Sequence, residues 1–571
     1  MVRVRQLADT ANVNYRTTDW NTVNWKEVNR VVRNLRQRIF KAAAKGDFKR
    51  VKSLQRLMLA SYANRLQSVR KVTQVNKGKN TAGVDNIIIK TPAARGRIVD
   101  QLKFFRYIHV LQNKRSYIPK GKKRRPLGIP VIKDRSMQAV VKNALEPLWE
   151  FLFELISYGF RPGRGCHDAI ARIFSICKGG RAKFILDADV KSAFDKISHA
   201  KIMELISNFP GKKYIEAWLK AGYVEFGKLH ETLEGTPQGG VVSPLLANIA
   251  LHGMEEALGI KYWTKKSGKN KGQVICLSKI RILRYADDFV VICETLEDAE
   301  WAKVRLWEFL SERGLEYSEE KTQITDMDKG FNFLGFNIRR YKVSNTKSGY
   351  KLLIKPSKDS QKKVIDRLRQ AWAEANGHNV NSVLKKINPI IRGQANYYRI
   401  AVSKKIFGKW DHYLFEKQRK YANRMHPRKS CQWKYNKYWG FYKKDSLSQW
   451  IFGDKSNGKY MLRYSDFPIE RHILVKGYAS PDNPMEREYW ERRELRKGKI
   501  IPKYRILVKK QKNRCPICND WLSNGEGLEV DHIIPKQQDG EDKLSNKQLL
   551  HYYCHMQKTA QERSKVSKLA A

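Results

Sequence analysis

RILRYADDFVVIC at residues 281–293, together with FILDADV at 184–190, decides how this chain is read. Apolar and β-branched residues dominate both stretches, which predicts strands. In the first, Arg281 to Tyr285 and Phe289 to Cys293 flank a tight turn, so the segment predicts a hairpin. The turn carries adjacent carboxylates, Asp287 and Asp288, whose mutual repulsion costs free energy unless a cation lies beside them. In the second, strand alternation puts Ile185, Asp187 and Asp189 on one face, with Asp189 near the C-terminal end. Brought beside the hairpin, Asp189 would complete a three-carboxylate cluster. Hard Mg²⁺ ions prefer such oxygen donors plus phosphate. Two of them can clamp the attacking and leaving oxygens of an in-line phosphoryl transfer.

The rest of the chain suits that chemistry. Its 571 residues carry 112 Lys and Arg against 56 Asp and Glu, a net charge of +56. Such self-repulsion calls for a polyanion, and nucleic acid is the natural one because each neutralised phosphate releases counterions. No apolar run is long enough to span a bilayer, and the opening MVRVRQLADT lacks a secretory core. No membrane and no secretion are therefore expected. A hydrophobic fraction of 42% is enough for real cores, which excludes a disordered chain. Five of the eight cysteines, Cys166, Cys177, Cys276, Cys293 and Cys431, are scattered. Reduced thiols in an intracellular compartment are expected rather than a disulfide framework.

Residues 1–80 predict basic helices: Val28, Val31, Val32, Leu35 and Ile39 keep helical spacing, and Val51, Leu54, Leu57 and Met58 repeat it. Residues 81–345 alternate strands, helices and Gly/Pro turns, which predicts a layered α+β or α/β unit. Residues 346–440 return to helical periodicity. Residues 441–505 are basic, aromatic and irregular, and 506–571 form a small unit with metal-ligand spacing.

With these residues in view, the chain resembles reverse transcriptases of the kind encoded by group II introns. Asp189 followed by Phe194, then Tyr285-Ala286-Asp287-Asp288, is similar to two of that family's motifs. The resemblance implies Mg²⁺ ligation by Asp189, Asp287 and Asp288, and sets Asp187 aside as a decoy. Tyr117 to Lys120 with Arg124 to Pro130 resembles the fingers motif, implying that Lys120, Arg124 and Arg125 hold the incoming triphosphate. Tyr158 to Gly165 resembles the next motif, and Thr236-Pro237-Gln238-Gly239-Gly240 the one beside the nucleotide. Lys321 resembles the palm lysine near the phosphates, and Phe194 the steric gate that favours dNTPs over rNTPs. Ile391 to Arg399 resembles the signature of the maturase region, which serves as a thumb, although Gln394 stands where an aromatic is frequent.

Cys515-x-x-Cys518 and His551-x-x-Cys554 give two ligand pairs suited to one tetrahedral structural Zn²⁺. Between and after them, Asp531-His532, Asn546 and His555 resemble the HNH, or ββα-metal, nucleases. That resemblance implies His532 as general base, Asp531 and His555 as ligands of a Mg²⁺ or Mn²⁺ ion, and Asn546 as the residue orienting the His532 loop.

The expected fold is multidomain α+β. A basic helical extension (1–80) leads into right-hand fingers and palm (81–345) and a helical maturase thumb (346–440). A DNA-binding region (441–505) and a zinc-stapled HNH unit (506–571) follow. The expected function is RNA-directed DNA polymerisation coupled to splicing assistance and intron mobility, with HNH cleavage of target DNA. The expected partners are group II intron RNA, target DNA, a primed RNA template and dNTPs, in bacterial cytoplasm at the nucleoid or in an organelle. Two rivals are a splicing maturase with an inactive polymerase, and a homing endonuclease whose long N-terminal part only binds RNA.

Overall fold

A computed structural model describes residues 17–569, apart from 105–109, 121–122, 266, 269–273, 345, 347–348, 443–448 and 499–503. Three helices open it, Trp25–Ala44, Phe48–Ala60 and Tyr62–Arg70. Each starts where a short polar side chain caps it: Asn24, Asp47 and Ser61 accept from the backbone N–H of Glu27, Arg50 and Asn64. Trp25, Val28, Val32, Leu35 and Ile39 form the buried stripe of the first helix. In the second, Val51, Leu54 and Met58 are buried while Leu57 is exposed. Leu57 was expected on the apolar face, but it lies about 100° around the helix from Met58. All three helices pack on the long helix Ile132–Leu152.

Two sheets, one mixed and one antiparallel, position the candidate residues. In one, the hairpin Asn113–Lys120 and Lys123–Ile129 is extended by Tyr223–Glu225 and Lys228–His230. In the other, the strand order is Gln323–Asp326, Phe184–Asp189, Asp288–Cys293, Arg281–Tyr285. The central pair runs antiparallel in a register that sets Asp189 opposite Asp288 and Asp187 opposite Val290. The hairpin predicted from residues 281–293 closes at Tyr285↔Asp288. The antiparallel pairing makes this an α+β sheet; a parallel α/β arrangement would have required long crossovers.

Helices Lys358–Ala373, Val380–Tyr398 and Lys404–Met425 pack together after the palm. A small sheet of Trp439–Gly440, Ile451–Asp454 and Lys459–Tyr460 straddles residue 440 and seats on those helices, with Phe452 stacked on Tyr438 and edge-on to Tyr421. The chain then returns to the palm, where the buried Asp168 carboxylate accepts from His472, Arg493 and the Val475 N–H. The last unit is a two-stranded sheet, Leu528–His532 with Lys547–His551, followed by the helix Tyr552–Leu569. No helix among the described residues is long and apolar enough to cross a membrane.

One buried acid carries a pH signature. The Glu255 carboxylate accepts from Tyr262 Oη at 2.6 Å and lies near Glu154, which accepts from the backbone N–H of Gly253 and Glu255. Burial, and then the charge of Glu154, push the Glu255 carboxyl from near 4.5 up to about 8. Between those values the folded protein keeps a proton that the unfolded chain has released. The stabilisation is therefore full below the unfolded value and is lost as pH rises through the folded one. Glu255→Gln is expected to raise Tm over wild type at pH 8 while changing it little at pH 5. Thermal melts at both pH values check this, and equal shifts at the two would contradict it.

Candidate functional site

The turn that carries Asp287 and Asp288 is built by backbone constraints. Between Tyr285 and Asp288 the chain turns on Ala286, whose φ of 59° is left-handed. Two-residue hairpin turns demand such a residue at their first central position. Gly159 lies directly beneath: a Cβ placed there would meet Ala286 N at 2.2 Å and its Cα at 2.8 Å. Asn248 joins the two segments, donating to Gly159 O at 2.8 Å and accepting from Arg284 Nη1 at 2.9 Å. Arg284, 1% exposed, also donates to Ala286 O at 3.1 Å. Two buried side chains thus hold the turn that carries Asp287 and Asp288.

Asp189 meets this turn through its pairing with Asp288. Burial, followed by the charges of Asp287 and Asp189, pushes the Asp288 carboxyl up to about 6. Burial, then Asp288 and Asp189, pushes Asp187 up to about 7. Asp187, set aside on motif spacing, therefore belongs to the same electrostatic cluster. Lys321 supplies the nearby cation, in an ion pair with Asp189. Crowded carboxylates that resist ionisation are a donor set that fits divalent cations, since bound positive charge would remove the penalty.

The predicted nucleotide residues are linked to one another in part. Arg125 Nε donates to Gln238 Oε1 at 2.7 Å, and Gln238 Nε2 donates to both Asp195 oxygens at 3.2 and 3.1 Å. Phe194 is buried against Phe160, edge to face at 5.9 Å, and its carbonyl accepts from Thr236 N. Gly239 N donates to Gly128 O at 3.0 Å, and a Cβ at Gly239 would meet that oxygen at 2.3 Å. The glycine thereby locks the 236–240 loop to the fingers hairpin. Arg115, which carried no motif signal, joins Asp195, Thr236 and Gln238 around a cavity of about 260 Å³. Arg124 is exposed on the hairpin, and the side chain of Lys120 lies outside the described residues.

In the last unit Cys515, Cys518, His551 and Cys554 are buried, with their ligand atoms all within 4.8 Å of one another. His551 Nε2 pairs with Trp521 O at 3.0 Å, which leaves Nδ1, 3.3 Å from Cys518 Sγ, facing the cluster. A carbonyl fixing the outer ring nitrogen is the usual outer-shell arrangement of a metal-bound imidazole. This closed Cys₃His donor set fits Zn²⁺. Nearby, His555 Nδ1 lies 2.6 Å from Glu529 Oε2 and its Nε2 3.4 Å from Asp531 Oδ1. Glu529 enters because strand alternation puts it on the face of Asp531. Lys558 Nζ reaches Asp531 Oδ2 at 2.7 Å. Asn546 bonds twice to Ile534, accepting from its N–H and donating to its carbonyl. His532 Nε2 pairs with Asp542 Oδ1 at 2.8 Å, and His532 and Lys547 hold the Asp542 carboxyl down to about 2.

Known protein families match four stretches of the chain. The family described as reverse transcriptase (RNA-dependent DNA polymerase) matches residues 114–338, and its N-terminal domain matches 20–102. The group II intron maturase-specific domain matches 361–439, and HNH endonuclease matches 515–561. The chain is 32% identical over 354 residues to the group II intron-encoded protein LtrA of Lactococcus lactis subsp. cremoris, covering 52% of this chain and 59% of LtrA. It is 32% identical over 320 residues to protein YkfC of Escherichia coli K12, covering 50% of this chain and 84% of YkfC. The chain belongs to the group II intron-encoded proteins. A more distant relative of this intron-encoded protein is maturase-like protein 1 of Euglena gracilis, 25% identical over 66% of this chain and 76% of that one. Against LtrA the intron-encoded chain spans little more than half of the relative's length.

Proposed function

We propose that this group II intron-encoded protein is an RNA-directed DNA polymerase. On this reading it binds its intron RNA, assists splicing, and copies the intron into cleaved target DNA. The observation that carries this is the strand register setting Asp189 opposite Asp288, which gathers three carboxylates at one end of the palm sheet. Asp189, Asp287 and Asp288 would hold Mg²⁺, which supplies charge neutralisation on the triphosphate and activation of the primer 3′-OH. Arg124, Arg125 and Lys120 on the fingers hairpin would steady the triphosphate. Gln238, already oriented by Arg125 and Asp195, would position the nucleotide. Phe194 would crowd a ribose 2′-OH. The net charge of +56 supports long contacts with RNA and DNA phosphate.

In the HNH unit, Asp531 and His555, with Glu529 beside them, would hold a divalent ion at the scissile phosphate. His532 is oriented through Nε2 by Asp542, which leaves Nδ1 to take the proton of the attacking water. Asn546 keeps the His532 loop in place. The Cys₃His cluster would hold a structural Zn²⁺ that staples a unit too small to rely on its core.

Purified protein should incorporate dNTPs on a primed RNA template only with Mg²⁺, and should nick target duplex in a complex with its intron RNA. His532→Ala is expected to abolish nicking and leave incorporation intact. No incorporation by folded wild type would favour a splicing maturase with an inactive polymerase.

A further inference from the structure

The zinc cluster is not enclosed by its own unit. Arg70, at the end of the helix Tyr62–Arg70, points its Nη2 at Cys554 Sγ from 3.1 Å and at Glu526 Oε2 from 3.5 Å. Its side chain is 7% exposed, and the guanidinium lies over the Trp25 ring, 4.6 Å from the centroid. Asn29 Nδ2, held by Gln67, donates to the Cys518 carbonyl at 2.9 Å. Gln557 on the final helix donates to Asn21 O and Val23 O, and Lys79 donates to Tyr553 Oη. Two ligand residues of the cluster therefore receive hydrogen bonds from helices that belong to the polymerase part.

The contacts suit a loaded cluster. A divalent ion with three thiolates and a neutral imidazole carries a net charge of −1. Arg70 then sits between that charge and Glu526. Without the ion nothing fixes the four ligand side chains in one cluster, nor the acceptors that Arg70 and Asn29 reach. Arg70 would then keep Glu526 but lose a fixed acceptor at Cys554, and a buried polar group short of partners is costly. We propose that the Cys₃His cluster is also the docking surface of the nuclease unit, Arg70 being an outer-shell partner supplied by the polymerase. Zinc loading and docking then strengthen each other by linkage. This rests on the reading of the cluster as a zinc site. The docked face is not the catalytic one: His532 and His555 keep 24% and 30% of their side-chain surface open. The contact is a mount and leaves the nuclease groups accessible.

The test uses the full chain, purified with its metal content measured. Zinc release to a colorimetric chelator is timed for wild type and Arg70→Gln. Backbone hydrogen exchange is followed over Trp25–Ala44 and Tyr62–Arg70 before and after chelation of wild type. Release on the order of tenfold faster from Arg70→Gln is expected from a coupling of ordinary size, and chelation should speed exchange in both helices. Unchanged release from a folded Arg70→Gln, or exchange unmoved by chelation, would overturn the docking proposal while leaving the zinc site standing. Should Arg70→Gln fail to fold, the exchange measurement on wild type still decides. Protein that purifies without zinc and does not take it up would overturn the zinc reading itself.

Discussion

Asp287→Asn is expected to cut Mg²⁺-dependent dNTP incorporation by on the order of 10³-fold or more, since it removes a charge that stabilises the transition state. The fold should survive. Asp287 is a source of the repulsion that, after burial, raises the Asp288 carboxyl to about 6. Removing that charge leaves the metal-free protein at least as stable as wild type, an instance of stability given up for activity. Primer extension and a thermal melt without Mg²⁺ check the two halves. Activity within tenfold of wild type would sink the assignment of Asp287 as a metal ligand. A fallen Tm would mean that it supports the fold. The same carboxyls set a pH limit. Protons compete with the cation for Asp288, so the Mg²⁺ concentration needed for half-maximal incorporation should rise as pH falls through about 6.

Gly159→Ala is expected to be nearly as damaging, although residue 159 touches no substrate on the proposed reading. Its new Cβ would stand 2.2 Å from Ala286 N and under 3 Å from that residue's Cα and Cβ, atoms that cannot swing away. The turn bearing Asp287 and Asp288 must shift, and a displacement near 1 Å can cost about 10²-fold in rate. The expected pattern is a fall in kcat with a far smaller change in the affinity for primed template, measured by filter binding. A wild-type rate would show that the turn has slack which the packing around Arg284 and Asn248 does not suggest.

How far the sequence foretold these sites depends on how each is built. Asp189, Asp287 and Asp288 were legible because strand alternation and a two-residue turn act over a few residues, and motif resemblance supplied their pairing. The Cys and His pairs were legible for the same reason, since short spacing limits where two ligands can point. Arg284 and Asn248 were not. Arg284 looked like any polar residue in a strand, and its partner Asn248 lies 36 residues away on another element. Gly159 stood inside a recognised motif, yet its reason for being glycine lies across a contact that no periodicity encodes. Asp187 was set aside as a ligand, and the register sets it opposite Val290, although its carboxyl still feels the charges of Asp288 and Asp189. Leu57 was misread: it is an apolar residue within a helical pattern that packing leaves in water.

The contact between Arg70 and Cys554 spans 484 residues, and that separation is also an interval of time. A ribosome adding about 5–20 residues per second needs on the order of 25–100 s to get from one to the other. The helices made first thus wait, Trp25 and Arg70 without their final cover, until the residues around Cys554 arrive. Newly made chain is most open to proteases and to wrong associations over that stretch, and on the zinc reading of the cluster scarce zinc would lengthen the wait.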